Sequence, residues 1–374
     1  MPSTVDFYLQ VNIVLDLDQS LSKPYLVLPI QPQANVPVMA KTLPPKVKVL
    51  VIGHLEEWRR EKHSNLIQFQ VLEQTSYEEA VPLIKETLAK YGPFSALLYN
   101  VDWSRPFPAP INEGLIHPLI QSGLKLITVG GAGYDRVDID YLTSHDVMYA
   151  NNPRTVMHRT ADSTAMMILI ACKGATQQER SLRDGKWANR ALKGKNPRGL
   201  TLGIVGMGNI GRIVAENMSQ FGMKIIYTQR SRLSPEKEKG YEYVSFEELL
   251  ARSDVISLMC PLTPATHHLI AAKEFGKMKE DVILVNTSRG AVIHEDAMVD
   301  ALNSGKVLRV ALDVFENEPK VHSGLLAHPG TTLLPHAAVL DDTLMQENVD
   351  EMFANVEAFA KTGMPNTPVN AAGM

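Results

Sequence analysis

From Lys46 onward, short apolar runs alternate with longer stretches of helical period. Val47 to Ile52, Gln68 to Leu72, Ala96 to Val101, Leu124 to Val129 and Val147 to Ala150 read as strands, and Ser76 with Glu79 makes a capping box that opens a helix to Tyr91. The character changes near Pro153, where a long apolar helix from about Thr160 to Ala175 precedes a polar stretch containing Trp187 and Pro197. A second series then begins: the apolar run of Leu202, Ile204 and Val205 reads as a strand, a second strand ends within Lys224 to Arg232, and Val255 to Met259, Val282 to Asn286, Val307 to Val314 and Thr331 to Leu334 supply the others, with Ser245 and Glu248 capping one of the intervening helices. Strands alternating with helices at this spacing predict parallel sheets covered on both faces. The helix from roughly Asp341 to Lys361 comes too late for the second sheet and is expected to return to the first, making that domain discontinuous.

The second series starts on the stretch around which the rest is organised. Leu202, Ile204 and Val205 run into Gly206, Gly208 and Gly211 in G-x-G-x-x-G spacing, and the helix that follows is expected to bury Ile210, Ile213, Val214, Met218 and Phe221 before Gly222 ends it. In a dinucleotide site the first glycine makes the tight turn, the second lets backbone approach a pyrophosphate, and the third lets helix pack on strand. The helix start then presents free N–H groups and a positive dipole end to the phosphates.

Residues 1–46 differ from all this. Val5, Phe7, Leu9 and Val11 alternate with polar residues as in a strand, and Pro24, Pro29, Pro32, Pro37, Pro44 and Pro45 follow. The segment reads as an appendage, and Met39-Ala-Lys would also serve as the start of a compact domain at Lys46. The first 22 residues hold Asp6, Asp16 and Asp18 and no Lys or Arg, so neither a signal nor a transit peptide is expected.

Composition narrows the classes. A chain of 374 residues exceeds the size at which one core keeps growing, so two domains are expected. The net charge of −4 gives no case for a nucleic-acid or membrane partner. Cys172 and Cys260 both lie in apolar runs, which points to buried thiols in a reducing, cytoplasmic setting and away from a disulfide or metal site.

Ligands of open parallel sheets bind beyond the carboxyl ends of the strands. Arg289, Glu318 and His336 stand just past three such ends. An arginine offers a bidentate fork to a carboxylate, a histidine can give a proton to an oxygen developing charge, and a carboxylate beside it holds the ring. With a nicotinamide as hydride source, the reaction implied is reversible reduction of a 2-oxo acid to a 2-hydroxy acid.

Five segments carry a resemblance: Gly131-Ala-Gly-Tyr-Asp135, Gly206-Met-Gly-Asn-Ile-Gly211, Asn286-Thr-Ser-Arg-Gly290, Ala311-Leu-Asp-Val-Phe-Glu-Asn-Glu-Pro319 and Pro335-His336. In order and spacing the chain, over about residues 46–365, resembles the D-isomer-specific 2-hydroxyacid dehydrogenase family, which includes glyoxylate/hydroxypyruvate reductases and D-mandelate dehydrogenases. The fold class expected is α/β with two Rossmann-like domains: a discontinuous, flavodoxin-like substrate domain (47–153 and 338–374) and a dinucleotide-binding domain (154–337). The resemblance implies that Arg289 binds the substrate carboxylate with backbone N–H groups of Ala132 and Gly133, that His336 is the acid/base, and that Glu318 is its partner. It also implies cofactor contacts at Gly206, Gly208, Asn209, Ile210, Gly211, Cys260, Pro261, Thr287, Ser288 and Asp313, and a homodimer to which the long helix after Thr160 contributes. The chain departs from the family's common pattern in Ala337-Ala338-Val339, where a glycine and a small hydroxyl residue usually follow the histidine.

NAD-specific sites carry an acidic residue about 20 residues beyond the glycines, but here Gln229 stands at that place, followed by Arg230, Ser231 and Arg232, a set suited to the 2′-phosphate of NADP. NAD remains the alternative cofactor. The rival function is a cofactor-sensing, corepressor-like binding protein of the same fold; formate dehydrogenases carry Gln where Glu318 stands. Glyoxylate, hydroxypyruvate and bulkier 2-oxo acids all fit as substrates, with a pocket wall expected around Tyr99, Asn100, Val101 and Trp103.

Overall fold

The computed structural model describes residues 46–73, 77–100, 111–187 and 193–370. The Val5 to Val11 strand, the proline-rich stretch before Lys46, the Ser76 cap, Val101 and Trp103 lie outside the described residues.

Two parallel sheets form from the two runs of apolar segments. The first is built of β1 (Val47–Gly53), β2 (Ile67–Leu72), β3 (Ala96–Asn100), β4 (Leu126–Val129) and β5 (Met148–Ala150), in spatial order β2-β1-β3-β4-β5. The second comprises β6 (Thr201–Val205), β7 (Lys224–Thr228), β8 (Glu242–Tyr243), β9 (Val255–Leu258), β10 (Val282–Asn286), β11 (Val307–Leu312) and β12 (Thr331–Leu333), in the order β12-β11-β10-β9-β6-β7-β8. Strands such as β3, β9 and β10 are buried along their whole length, because helices cover both faces and neither face needs polar positions. The chain reverses direction across the second sheet between β6 and β9, so the turn after β6 opens at a topological switch point.

The helix Leu344–Thr362 packs on the first sheet as expected: Val349, Met352, Phe353 and Val356 share a buried cluster with Val49, Val51 and Leu98. The long apolar helix starts earlier than Thr160, at Pro153, because a proline at the first helical position lacks only an N–H that would be unbonded anyway. It buries Ala161, Met167, Ile168, Ala171 and Cys172 against the second sheet. Its N-terminus is capped from the last helix, where Glu351 accepts from the N–H groups of Arg154 at 3.2 Å and Thr155 at 2.8 Å. At its other end the buried Arg309 guanidinium donates to the Ala171 carbonyl at 3.2 Å and the Lys193 carbonyl at 2.9 Å, a cation placed at the negative end of the helix.

Phe221 corrects the expected burial of the helix after the glycine turn. That helix ends at Gln220, leaving Phe221 at the cap with 42% of its surface exposed. Tyr99 is a second correction, since its side chain lies in the core of the first sheet with Leu50, Ile52 and Leu97 and supplies no pocket wall. Asn100 turns its amide to the His54 carbonyl at 2.7 Å.

Candidate active site

The glycine turn has the geometry that the spacing predicts. Gly206 sits at φ +102°, and a Cβ there would press on the backbone of Met259 and Cys260. A Cβ on Gly211 would strike the Gly206 carbonyl, so the third glycine lets the helix seat against the turn, whereas Gly208 faces open space. The helix from Asn209 opens without a side-chain cap, so its first N–H groups point beyond the strand ends with no partner from a capping side chain. These are the features of a dinucleotide cradle.

At the end of β7 the four residues expected at the adenosine end divide. The Gln229 side chain accepts from the Met207 N–H at 3.2 Å and donates to the Ser231 carbonyl at 2.6 Å, tying this loop to the glycine turn. Arg232 is held in a fork by Glu238, with both bonds at 2.9 Å, and Tyr227 donates to the same carboxylate at 2.8 Å. Arg230 is exposed and makes no ion pair among the described residues. The expectation of two free cations thus narrows to one, because the conformation of this loop gives Arg232 an internal partner.

Arg289 follows β10 in a turn organised by Asn286, whose carboxamide oxygen accepts from the Ser288 N–H at 3.0 Å and hydroxyl at 2.8 Å while its nitrogen donates to the Arg289 carbonyl at 2.9 Å. Thr287 is fixed beside it through a 2.7 Å hydroxyl contact with Thr164. From this turn the guanidinium reaches across to the loop after β4, donating from Nε to Asp135 at 2.7 Å. It lies so close over Gly133 that any Cβ there would collide with it. The same loop is held from behind, as Asn151 donates to the Ala132 carbonyl at 2.8 Å and the Gly131 N–H donates to Asn348 at 3.3 Å. Asp135, Asn151 and Asn348 were not anticipated as site residues; all three act through contacts distant in sequence, and the quoted Gly131 to Asp135 motif was the one signal pointing to them.

His336 and Glu318 also meet, His336 Nδ1 lying 2.9 Å from a Glu318 oxygen whose partner oxygen accepts from the Phe315 N–H at 3.0 Å. Burial pushes the Glu318 carboxyl up, but the hydrogen bond and charge of His336 outweigh it and hold the group below the ordinary carboxylate range. His336 adopts φ +54°, a left-handed conformation that a non-glycine residue keeps only when its surroundings impose it. Asp313 imposes it. Its carbonyl accepts from the His336 N–H at 2.8 Å, and its buried carboxylate accepts from the N–H groups of Ala337 at 2.6 Å and Ala338 at 3.1 Å. Burial raises the Asp313 carboxyl, and those two N–H bonds oppose the rise. Ala337 and Ala338 therefore contribute to this turn through their backbone N–H groups.

The site thus consists of two groups, Arg289 with Gly133 and Asp135, and His336 with Glu318 and Asp313; no hydrogen bond joins them among the described residues. Cys260 and Pro261 line the start of the loop after β9, and burial pushes the Cys260 thiol up to about 11, so it is an inert apolar wall.

Comparison with known proteins fits this geometry. Residues 165–338 match the family model described as D-isomer specific 2-hydroxyacid dehydrogenase, NAD binding domain. The chain is 41% identical over 295 residues to 4-methyl-2-oxopentanoate reductase A of Aspergillus oryzae, covering 78% of this chain and 88% of that one. The chain belongs to the D-isomer specific 2-hydroxyacid dehydrogenase family. Its fold superposes on a glyoxylate reductase from Paecilomyes thermophila with a TM-score of 0.79 at 38% identity, covering 87% of this chain and 98% of that one. A D-mandelate dehydrogenase from Rhodotorula graminis gives 0.78 at 32% identity over the same shares. This dehydrogenase is a nicotinamide-dinucleotide-dependent oxidoreductase that reduces a 2-oxo acid to a 2-hydroxy acid, and the corepressor alternative is not favoured.

Proposed function

We propose that the protein reduces a 2-oxo acid to the D-2-hydroxy acid with NADPH, using Arg289 for the substrate carboxylate and His336 as the proton donor. What supports this most is the placement of the two groups beyond the carboxyl ends of β10, β11 and β12, with the Arg289 guanidinium lying over Gly133 and His336 bonded to Glu318 at 2.9 Å. A nicotinamide dinucleotide, when bound at the glycine turn, would supply the hydride. Arg289 orients the 2-oxo acid by its carboxylate, with the N–H groups of Ala132 and Gly133 as further donors, and polarises the neighbouring carbonyl. Glu318 holds the ring through Nδ1, which leaves Nε2 to pass a proton to the carbonyl oxygen as it gains charge. Asp313 fixes the turn that aims His336 and would border the nicotinamide.

The dinucleotide preference rests on the absent carboxylate at Gln229 and the uncommitted Arg230. The substrates considered are glyoxylate, hydroxypyruvate and the branched 4-methyl-2-oxopentanoate named for the Aspergillus relative. The domain division proposed is 47–153 with 338–374 for substrate and 154–337 for dinucleotide. A cytoplasmic homodimer is proposed as well, its interface formed in part by the helix Pro153–Lys173, where Met166 is 45% exposed. The test is oxidation of NADPH and NADH, followed at the nicotinamide absorbance, against a panel of 2-oxo acids. Turnover with none of them would end this reading.

A further inference from the structure

Behind the two groups lies a cluster of side chains that the chemistry above does not use. His268 stands in the loop after β9, a loop that begins where Met259 and Cys260 pack under Gly206 of the dinucleotide turn. Its ring nitrogen Nε2 lies 2.8 Å from Glu316, and its backbone N–H donates to the Ala291 carbonyl at 2.8 Å. Ala291 is two residues past Arg289, and Glu316 is two residues before Glu318. Between them Gly290 packs so tightly on the backbone of Phe315 and Glu316 that a Cβ could not fit. The ring of His268 is further clamped by those of His267, 3.9 Å away, and His294, 4.7 Å away. Glu316 is fixed in turn, its N–H donating to Glu295 at 2.9 Å and its carboxylate accepting from the Glu295 N–H at 3.3 Å. His268 itself is held at φ +50°, another non-glycine residue kept left-handed by its surroundings.

We propose that His268 is a positioning residue for the reduction, joining the loop that borders the dinucleotide turn to the two loops that carry Arg289 and Glu318. Through it, three loops from three adjacent strands behave as one body. Substrate-binding geometry is thereby set from the dinucleotide side, through the contacts of His268 with Glu316 and Ala291. The inference rests on the roles proposed above for Arg289 and Glu318.

The test compares His268→Gln, Glu316→Gln and the double variant with the unmodified protein. It measures KM and kcat for the best 2-oxo acid of the panel, Kd for NADPH from nicotinamide fluorescence without substrate, and Tm. Each single change should raise the 2-oxo acid KM by about fivefold or more while the NADPH Kd stays within about twofold, and the double variant should be no worse than the worse single, since both remove one interaction. His268→Asn, which tolerates the left-handed backbone, replaces His268→Gln if that variant does not fold. An unchanged KM in Glu316→Gln, single effects that multiply, or KM and Kd rising together with a fall in Tm would each overturn the proposal. Failure of the functional reading is separately visible, because the unmodified protein would then reduce no 2-oxo acid at all.

Discussion

The two halves of the site are built differently. His336 and Glu318 both sit in loops of the second sheet, 18 positions apart in the chain, and Asp313 from the same sheet ties down the histidine turn with three hydrogen bonds. Arg289 instead spans the two sheets: it leaves β10 of the second and takes Asp135, 154 positions away, on a loop of the first. The proposed acid/base pair is therefore complete within one frame, whereas the proposed carboxylate-binding side depends on how the two sheets are set against each other. Precision held by one frame serves proton transfer, which demands a fixed donor geometry.

The sharpest way to break this comparison is to remove the proposed proton donor. His336→Gln should reduce kcat by roughly the 10²–10⁴-fold expected for loss of a general acid, with the NADPH Kd retained because the dinucleotide turn lies on other elements. Near-normal turnover would take His336 out of the mechanism.

On the other half the effect should fall on substrate affinity first. Arg289→Lys keeps the charge but loses the planar fork, and the lost charged hydrogen bonds, about 1.5–3 kcal/mol, correspond to roughly a tenfold to 150-fold rise in the 2-oxo acid KM. Gly133→Ala sharpens the point without touching the arginine. The added methyl must push the guanidinium off the loop, so KM should rise in the same direction but by less, since a flexible side chain can move aside. If Gly133→Ala instead lowered kcat and spared KM, the guanidinium over that glycine would be serving the chemical step and not carboxylate binding.

The same division explains what could be read from the chain alone. The glycine turn, the Ser245 and Glu248 capping box and the strands of both sheets other than the two-residue β8 rest on periodicities and spacings within a dozen residues, and each appears about where expected; the return of the last helix follows from its place after the second series. Phe221 was misjudged because helical period continues past the residue at which the helix stops. Arg289, Glu318 and His336 were legible as strand-end residues, but Asp135, Asn348 and the His268 with Glu316 pair were not. Their partners lie 154, 217 and 48 positions away, and no local pattern encodes a contact made only when sheets stack and loops converge. The long helix shows both cases at once. Its apolar stripe is local and was visible, while the Glu351 carboxylate that caps its start comes from 196 positions further on.

The smallest effects should separate the two arginines after β7, which the sequence presents as equals and the structure does not. Arg230 is exposed and uncommitted, so it can meet a 2′-phosphate; Arg232 is engaged by Glu238 in a 2.9 Å fork, with Tyr227 bonded to the same carboxylate. Arg230→Ala combined with Gln229→Asp removes a cation and adds a carboxylate where the phosphate would lie. It should lower kcat/KM with NADPH by about tenfold or more, in line with roughly 1.5–3 kcal/mol for a hydrogen bond to a charged group, and leave NADH use intact or improved. Arg232→Ala should leave kcat/KM for NADPH within about twofold, because Arg232 is already engaged by the buried Glu238 and its loss removes no phosphate contact. The measurement is steady-state kinetics with both dinucleotides at a fixed, saturating 2-oxo acid. A loss with Arg232→Ala as large as that with the Arg230 variant would mean that Glu238 gives up its arginine when the phosphate binds, and a preference of the unmodified protein for NADH would overturn the NADPH reading itself.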